Sequence, residues 1–97
     1  MTYNTRQFHL MQAKVRDFII GKLSFPMLIA DLEALNVSLE KPDEEWEKEF
    51  FKNYSCLEEV YAVSLEQKNG FLDEYDKRLI QTSIDKINKL IQARLLR

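Results

Sequence analysis

Carboxylates are the reactive groups that this sequence concentrates most strongly. Residues 55–76 read SCLEEVYAVSLEQKNGFLDEYD and contain six carboxylates but only one cation, Lys68. Two facing carboxylates can hydrolyse a glycoside, and a cluster of carboxylates can attract a cationic protein. Taken singly, each is an ordinary solubilising charge. Together they repel one another, so a partner that neutralises them relieves an unfavourable energy.

The charges are distributed unevenly along the chain. Residues 1–39 carry four cations and three anions, residues 40–76 carry four cations and twelve anions, and residues 77–97 carry six cations and one anion. The basic C-terminal segment gives some support for nucleic-acid binding. However, the acidic block would repel phosphate, and no aromatic residues interleave the basic positions. We therefore predict no direct nucleic-acid partner and interpret the basic segment as a solvated face.

The residue types that most enzymes and metal sites require are scarce. His9 is the only histidine and Cys56 the only cysteine, and the sequence has no zinc, calcium or phosphate-loop motif. We expect His9 to be a partly exposed helix residue and Cys56 a small buried one. A bundle of this size offers little cleft for a sugar, which disfavours carboxylate catalysis. We assign no catalytic, metal-binding or cofactor-binding residue and predict a non-enzymatic protein.

The elements that must position these charges are predicted to be helices. The chain has 97 residues, enough for one modest core, and we treat 1–97 as a single domain. Only two glycines and two prolines are present, which leaves little material for hairpin turns. No stretch is apolar enough to span a bilayer, and no secretory signal is recognisable. With one cysteine, these features favour the cytoplasm.

Apolar periodicity predicts the first two helices. Gly21 is expected to end the first, and Ser24 to cap the second, with Pro26 in its first turn. Residues 36–41 are predicted to be a loop. The apolar positions at helical spacing are Phe8, Met11, Val15, Phe18 and Ile19 in the first helix, and Phe25, Leu28, Ile29, Leu32 and Leu35 in the second.

The third helical region is predicted to open at Asp43 and to end at Asn69. Ser55 and Glu58 form a capping-box signature, so either one kinked helix spans 43–68 or two helices meet near Asn53. We expect Trp46 to lie in the core. In the last helix, isoleucines recur at spacings of four, three and four: Ile80, Ile84, Ile87 and Ile91. The sequence therefore predicts an all-α protein, an antiparallel four-helix bundle.

Within this bundle the acidic stretch should present a separate stripe. Leu57, Val60, Tyr61 and Ser64 are predicted to point inward. Glu59, Ala62, Val63 and Glu66 form another stripe, with short or branched apolar residues between acids. The remaining acids, Asp73, Glu74 and Asp76, follow Gly70 and are expected near the same end of the molecule.

Three segments in this order resemble a known family. They are FIIGKLSFPMLIADLEAL, CLEEVYAVSLEQ and DEYDKRLIQTSIDKINKLI. From about Val15 onward the chain resembles the small bacterial immunity proteins of the colicin D type, a class related to the immunity proteins of contact-dependent growth inhibition systems. The resemblance implies a helical bundle that inhibits a cognate toxin.

What the resemblance further implies is a partner with a basic surface. Toxins of the colicin D type cleave tRNA, and their immunity proteins present acidic residues to the basic substrate groove, which they block without chemistry. On this hypothesis the toxin-binding residues are Glu59, Glu66, Asp73, Glu74 and Asp76, with Tyr75 as an anchor. A monomer is favoured. The alternatives are a helical adaptor that binds a partner helix in an apolar groove, and a small carboxylate hydrolase.

Overall fold

A computed structural model describes residues 2–96, which form four α-helices and contain no strand. The helices are α1 (Tyr3–Ile19), α2 (Phe25–Val37), α3 (Glu44–Lys68) and α4 (Glu74–Leu95). α1 packs against α2 and α4, and α3 packs against α4 and α2. The predicted antiparallel four-helix bundle is confirmed.

The turn between α1 and α2 forms as its residues predict. Gly21 has a φ of 82°, a left-handed conformation that glycine adopts without a steric penalty. The Ser24 Oγ accepts a hydrogen bond from the Met27 N–H at 3.3 Å, and Pro26 lies in the first turn of α2. The predicted loop from Asn36 begins too early, because Ser38 N–H still donates to the Ala34 carbonyl and extends α2 through Val37.

The third region is one unbroken helix of 25 residues. Asp43 caps it by accepting a hydrogen bond from the Trp46 N–H at 2.8 Å. Ser55 lies in the middle of α3 and caps nothing, so the capping-box signature does not start a second helix. The helix continues because Phe50, Tyr54 and Leu57, on either side of this point, are all buried against the other helices.

Three stacked aromatic residues on α3 include two that form hydrogen bonds with α2. Trp46, Phe50 and Tyr54 stack with successive centroid distances of 5.5 Å. The Trp46 Nε1–H donates to Asn36 Oδ1 at 2.8 Å, and the Tyr54 hydroxyl donates to the Ile29 carbonyl at 3.1 Å. Burial, followed by the nearby carboxylates, raises the pKa of Tyr54 well above its ordinary value. Trp46 is only 1% exposed and belongs to the core, as predicted.

α4 closes the bundle through its isoleucines. All four predicted positions are buried: Ile80, Ile84, Ile87 and Ile91. Near its end, the Arg94 guanidinium pairs with both carboxylate oxygens of Asp43 and lies over the Trp46 ring, 5.9 Å from its centroid. This contact ties the end of α4 to the beginning of α3. Within residues 2–96, no helix combines the length and the apolar character that a bilayer crossing requires.

Candidate protein-binding groove

The groove between α3 and α4 brings three of the predicted site residues together. A recess of about 370 Å³ opens near the α3–α4 turn. We call it the acidic recess; it is lined by Cys56, Glu59, Val60, Val63, Tyr75, Asp76 and Leu79. Of these, Glu59, Tyr75 and Asp76 belong to the predicted set. Tyr75 is 63% exposed, so its ring forms an open wall of the recess.

Two carboxylates without an ion pair lie on one face of α3, and one of them, Glu59, lines the acidic recess. Glu59 and Glu66 are both exposed, and neither forms an ion pair with any residue from 2 to 96. They are seven positions apart, which places them on one face of α3 about 10 Å apart along the axis. Val63 lies between them and also lines the recess. This stripe combines uncompensated negative charge with an apolar surface.

Asp73 and Asp76 have a different environment from the other predicted acids. The Lys68 Nζ lies 2.8 Å from an oxygen of each carboxylate. They also form a capping box at the start of α4: Asp76 N–H donates to Asp73 Oδ1 at 2.8 Å, and Asp73 N–H donates to Asp76 Oδ2 at 3.2 Å. Both carboxylates therefore hold the α3–α4 turn together, in addition to any contact with a partner.

The electrostatics of this turn follow from its hydrogen bonds. The hydrogen bond from Lys68, together with the backbone N–H of Asp76, lowers the pKa of Asp73 below its usual 3.8. The same contacts with Asp73 and Asp76 raise the pKa of Lys68 above 10.5. Asp73 and Lys68 therefore stay charged around neutral pH, and Lys68 offsets part of the negative charge at this end of the molecule.

Glu74 directly precedes Tyr75, which lines the recess, and forms an exposed ion pair. Its carboxylate is 3.6 Å from the Lys77 Nζ, and both side chains are largely exposed, at 85% and 60%. Exposed ion pairs of this kind contribute little to stability, so Glu74 can exchange Lys77 for another cation at small cost. Among the predicted acids, Glu59, Glu66 and Glu74 are thus the ones that are exposed and that Lys68 does not contact.

Two residues of the acidic recess were missed by sequence reasoning. Cys56 was predicted to be a small buried residue, but it is only partly buried and lines the recess. Leu79 lies opposite it on α4 and was not singled out. The spacing of Cys56 and Val63, which are seven positions apart, places them on one face of α3 and was the available signal. His9 is exposed on α1, as expected.

A second recess lies on the same side of the α3–α4 pair, toward the other end of the bundle. Its volume is about 350 Å³. We call it the basic recess; it is lined by Glu49, Asn53, Lys86, Lys89, Leu90 and Ala93. Lys86 and Lys89 are exposed and have no ion-pair partner within the described part of the chain. Asn53 donates from Nδ2 to the Glu49 carbonyl at 2.9 Å, which orients its amide.

The lining of the two recesses combines apolar side chains with charged ones, a combination that suits contact with another protein. The acidic recess contains no histidine, and one of its two carboxylates, Asp76, is held by Lys68. Across residues 2–96, no group of three or more histidine, cysteine or acidic residues is arranged to hold a metal ion. Comparison of the chain with protein-family models, with curated proteins and with solved structures found no match.

Proposed function

We propose that the protein is an immunity protein: it binds a cognate bacterial toxin, a tRNA-cleaving nuclease domain, and occludes the basic groove that receives the toxin's substrate. The observation that carries this proposal is the stripe of two unpaired carboxylates on α3, Glu59 and Glu66, of which Glu59 lines the same recess as the exposed ring of Tyr75. Such a surface fits a cationic protein face. The order of sequence segments that resembles colicin D-type immunity proteins supports the same function.

The binding energy would come from a small part of this surface. Carboxylates attract a basic partner at long range and raise the association rate, while buried anchors account for most of the affinity. Tyr75 and Val63 are the apolar side chains best placed to be desolvated. Glu59 and Glu66 would pair with lysine or arginine side chains that otherwise contact RNA phosphates. Inhibition is then competitive and needs no reaction on the toxin.

The Lys68 cluster supports the proposal through preorganisation. Because Lys68, Asp73 and Asp76 fix the α3–α4 turn, Glu66 and Tyr75 are held in place before the partner arrives. Surfaces that are already ordered lose less conformational entropy on binding. In this role Asp73 and Asp76 assist the toxin-binding residues by positioning them, and Glu74 adds an exposed charge beside them.

The proposal predicts that the adjacent upstream reading frame encodes a toxin, and the test is co-expression with the C-terminal domain of that toxin. We expect wild-type protein to restore growth and to block tRNA cleavage by the purified domain. Glu59→Lys/Glu66→Lys should lose protection while retaining its helical circular dichroism spectrum. The matched control is Glu40→Lys/Asp85→Lys, which has the same net charge and lies outside the groove. If wild-type protein neither binds the domain nor inhibits cleavage, the proposed function is wrong.

A second candidate, a helical adaptor, is favoured by one observation. The basic recess lies on the same side of the α3–α4 pair as the acidic recess, so the lining residues on α4 extend from Tyr75 to Ala93 along a surface that a bound helix can follow. An adaptor would bind a partner without inhibiting any nuclease, and its coding sequence would have no toxin beside it. The tRNA-cleavage assay therefore separates the two candidates.

A further inference from the structure

The two recesses lie on the same side of the α3–α4 pair, because their lining residues on α3 recur at helical spacings of four and three: Glu49, Asn53, Cys56, Val60 and Val63. Tyr75 lies in the acidic recess and Lys89 in the basic recess, fourteen positions later on α4. At 1.5 Å per residue the groove is about 21 Å long. Glu59 is unpaired in the acidic recess, and Glu66 is unpaired seven positions further along the same face of α3. Lys86 and Lys89 are unpaired in the basic recess. Glu49 reduces the positive charge of the basic recess but forms no ion pair there.

We propose that the toxin places one amphipathic helix of about four turns along this whole groove, with its cations over the acidic recess and a carboxylate over Lys86 and Lys89. This inference rests on the proposed function. It adds that the bound helix carries side chains of opposite charge at its two ends. A uniformly basic element would satisfy Glu59 and Glu66 but would bring like charges against Lys86 and Lys89, at a cost in energy.

The groove favours a helix as the occupant. Two antiparallel helices present a trough into which the ridges of a third helix can pack, and the apolar side chains along it are Val63, Leu79 and Leu90. A length of about 21 Å corresponds to about fourteen helical residues.

The direction in which one double charge reversal changes the affinity separates this docking mode from general electrostatic attraction. Lys86→Glu/Lys89→Glu makes the protein more acidic, and attraction to a basic toxin alone would then leave binding unchanged or strengthen it. The proposed contact predicts the opposite, because the toxin's carboxylate would meet two new anions. The matched control is Arg6→Glu/Lys22→Glu, which changes the charge by the same amount at exposed positions outside the groove.

The experiment measures the dissociation constant of each variant for the upstream-encoded toxic domain, by surface plasmon resonance. We expect about a tenfold weakening for Lys86→Glu/Lys89→Glu, a smaller loss for Lys86→Gln/Lys89→Gln, and no loss for the control.

The other outcomes would contradict the inference. If the Lys86/Lys89 variants bind as tightly as the control while Glu59→Lys/Glu66→Lys fails to bind, the inference of a bound helix with opposite charges at its ends is wrong and the proposed function stands. If wild-type protein does not bind the domain, the proposed function fails and this inference fails with it. If the groove proves to hold a second copy of the chain, seen as a dimer that Lys86→Glu/Lys89→Glu dissociates, the inference is also wrong.

Discussion

The Lys68 Nζ lies 2.8 Å from the Asp76 carboxylate, whose side chain is only 8% exposed. The same ammonium group reaches Asp73 across the turn that contains Gly70. One cation thus joins the last turn of α3 to the first turn of α4. This contact explains why residues 55–76 contain a single cation: without Lys68, the buried carboxylate of Asp76 would have no compensating charge.

Replacing Lys68 should therefore destabilise the fold. In Lys68→Met the aliphatic stem is kept and the charge is removed, which leaves Asp76 buried beside Asp73 without a cation. We expect the melting temperature to fall by several degrees, measured by circular dichroism at pH 7. Lys77→Met is the control, since the Lys77–Glu74 pair is exposed and should contribute almost nothing. Equal melting temperatures for the two variants would show that the ion pairs of Lys68 do not stabilise the fold.

The contribution of Asp73 should disappear in acid. Its folded-state pKa lies below the usual 3.8, so its charge stabilises the protein at every pH above that value, and the effect is lost as the pH falls through the lowered pKa. Asp73→Asn keeps an N-cap side chain but has no charge. We expect wild type to be more stable than Asp73→Asn at pH 7 and the difference to shrink below about pH 4, measured by urea unfolding at a series of pH values. A difference that stays constant down to pH 2 would contradict this account.

Two serines with similar sequence signals should respond differently to alanine. Ser24 accepts a hydrogen bond at the start of α2, so Ser24→Ala should lower the free energy of unfolding by about 1 kcal/mol. Ser55 lies inside α3, where alanine is a better helix former, and Ser55→Ala should be neutral or slightly stabilising. Urea unfolding of both variants checks the comparison. A loss of about 1 kcal/mol for Ser55→Ala would mean that a helix does begin there.

The same pair of serines illustrates what the sequence could and could not predict. The isoleucine spacing of α4 and the Ser24–Pro26 signal were sufficient because they depend on local geometry alone. The continuity of α3 was not predictable, because packing against other helices overrides the weak helix propensity near Asn53. The pairing of Asp73 and Asp76 with Lys68 depends on how the chain turns at Gly70. Likewise, the position of Leu79 opposite Cys56 follows from the docking of α4 onto α3.

If the proposed function holds, binding to the toxic domain should weaken with salt. The attraction of Glu59 and Glu66 to a basic surface is screened as the Debye length falls from about 10 Å at 0.1 M salt to about 3 Å at 1 M. We expect the association rate to fall by at least tenfold over this range, with a smaller change in the dissociation rate. Stopped-flow measurement of the complex at several salt concentrations tests this. An association rate that does not change with salt would exclude electrostatic steering by these carboxylates.

Tyr75 should matter for binding and not for folding. Its ring is 63% exposed at the wall of the acidic recess, so Tyr75→Ala removes little buried surface and should leave the melting temperature nearly unchanged. If the ring is an anchor that the toxin buries, the same substitution should weaken the complex by at least tenfold. Phe71→Ala is a close control, because Phe71 is also aromatic and 66% exposed but does not line the recess. Equal losses of affinity for the two variants, measured by isothermal titration calorimetry, would place the contact on the α3–α4 turn and not in the groove.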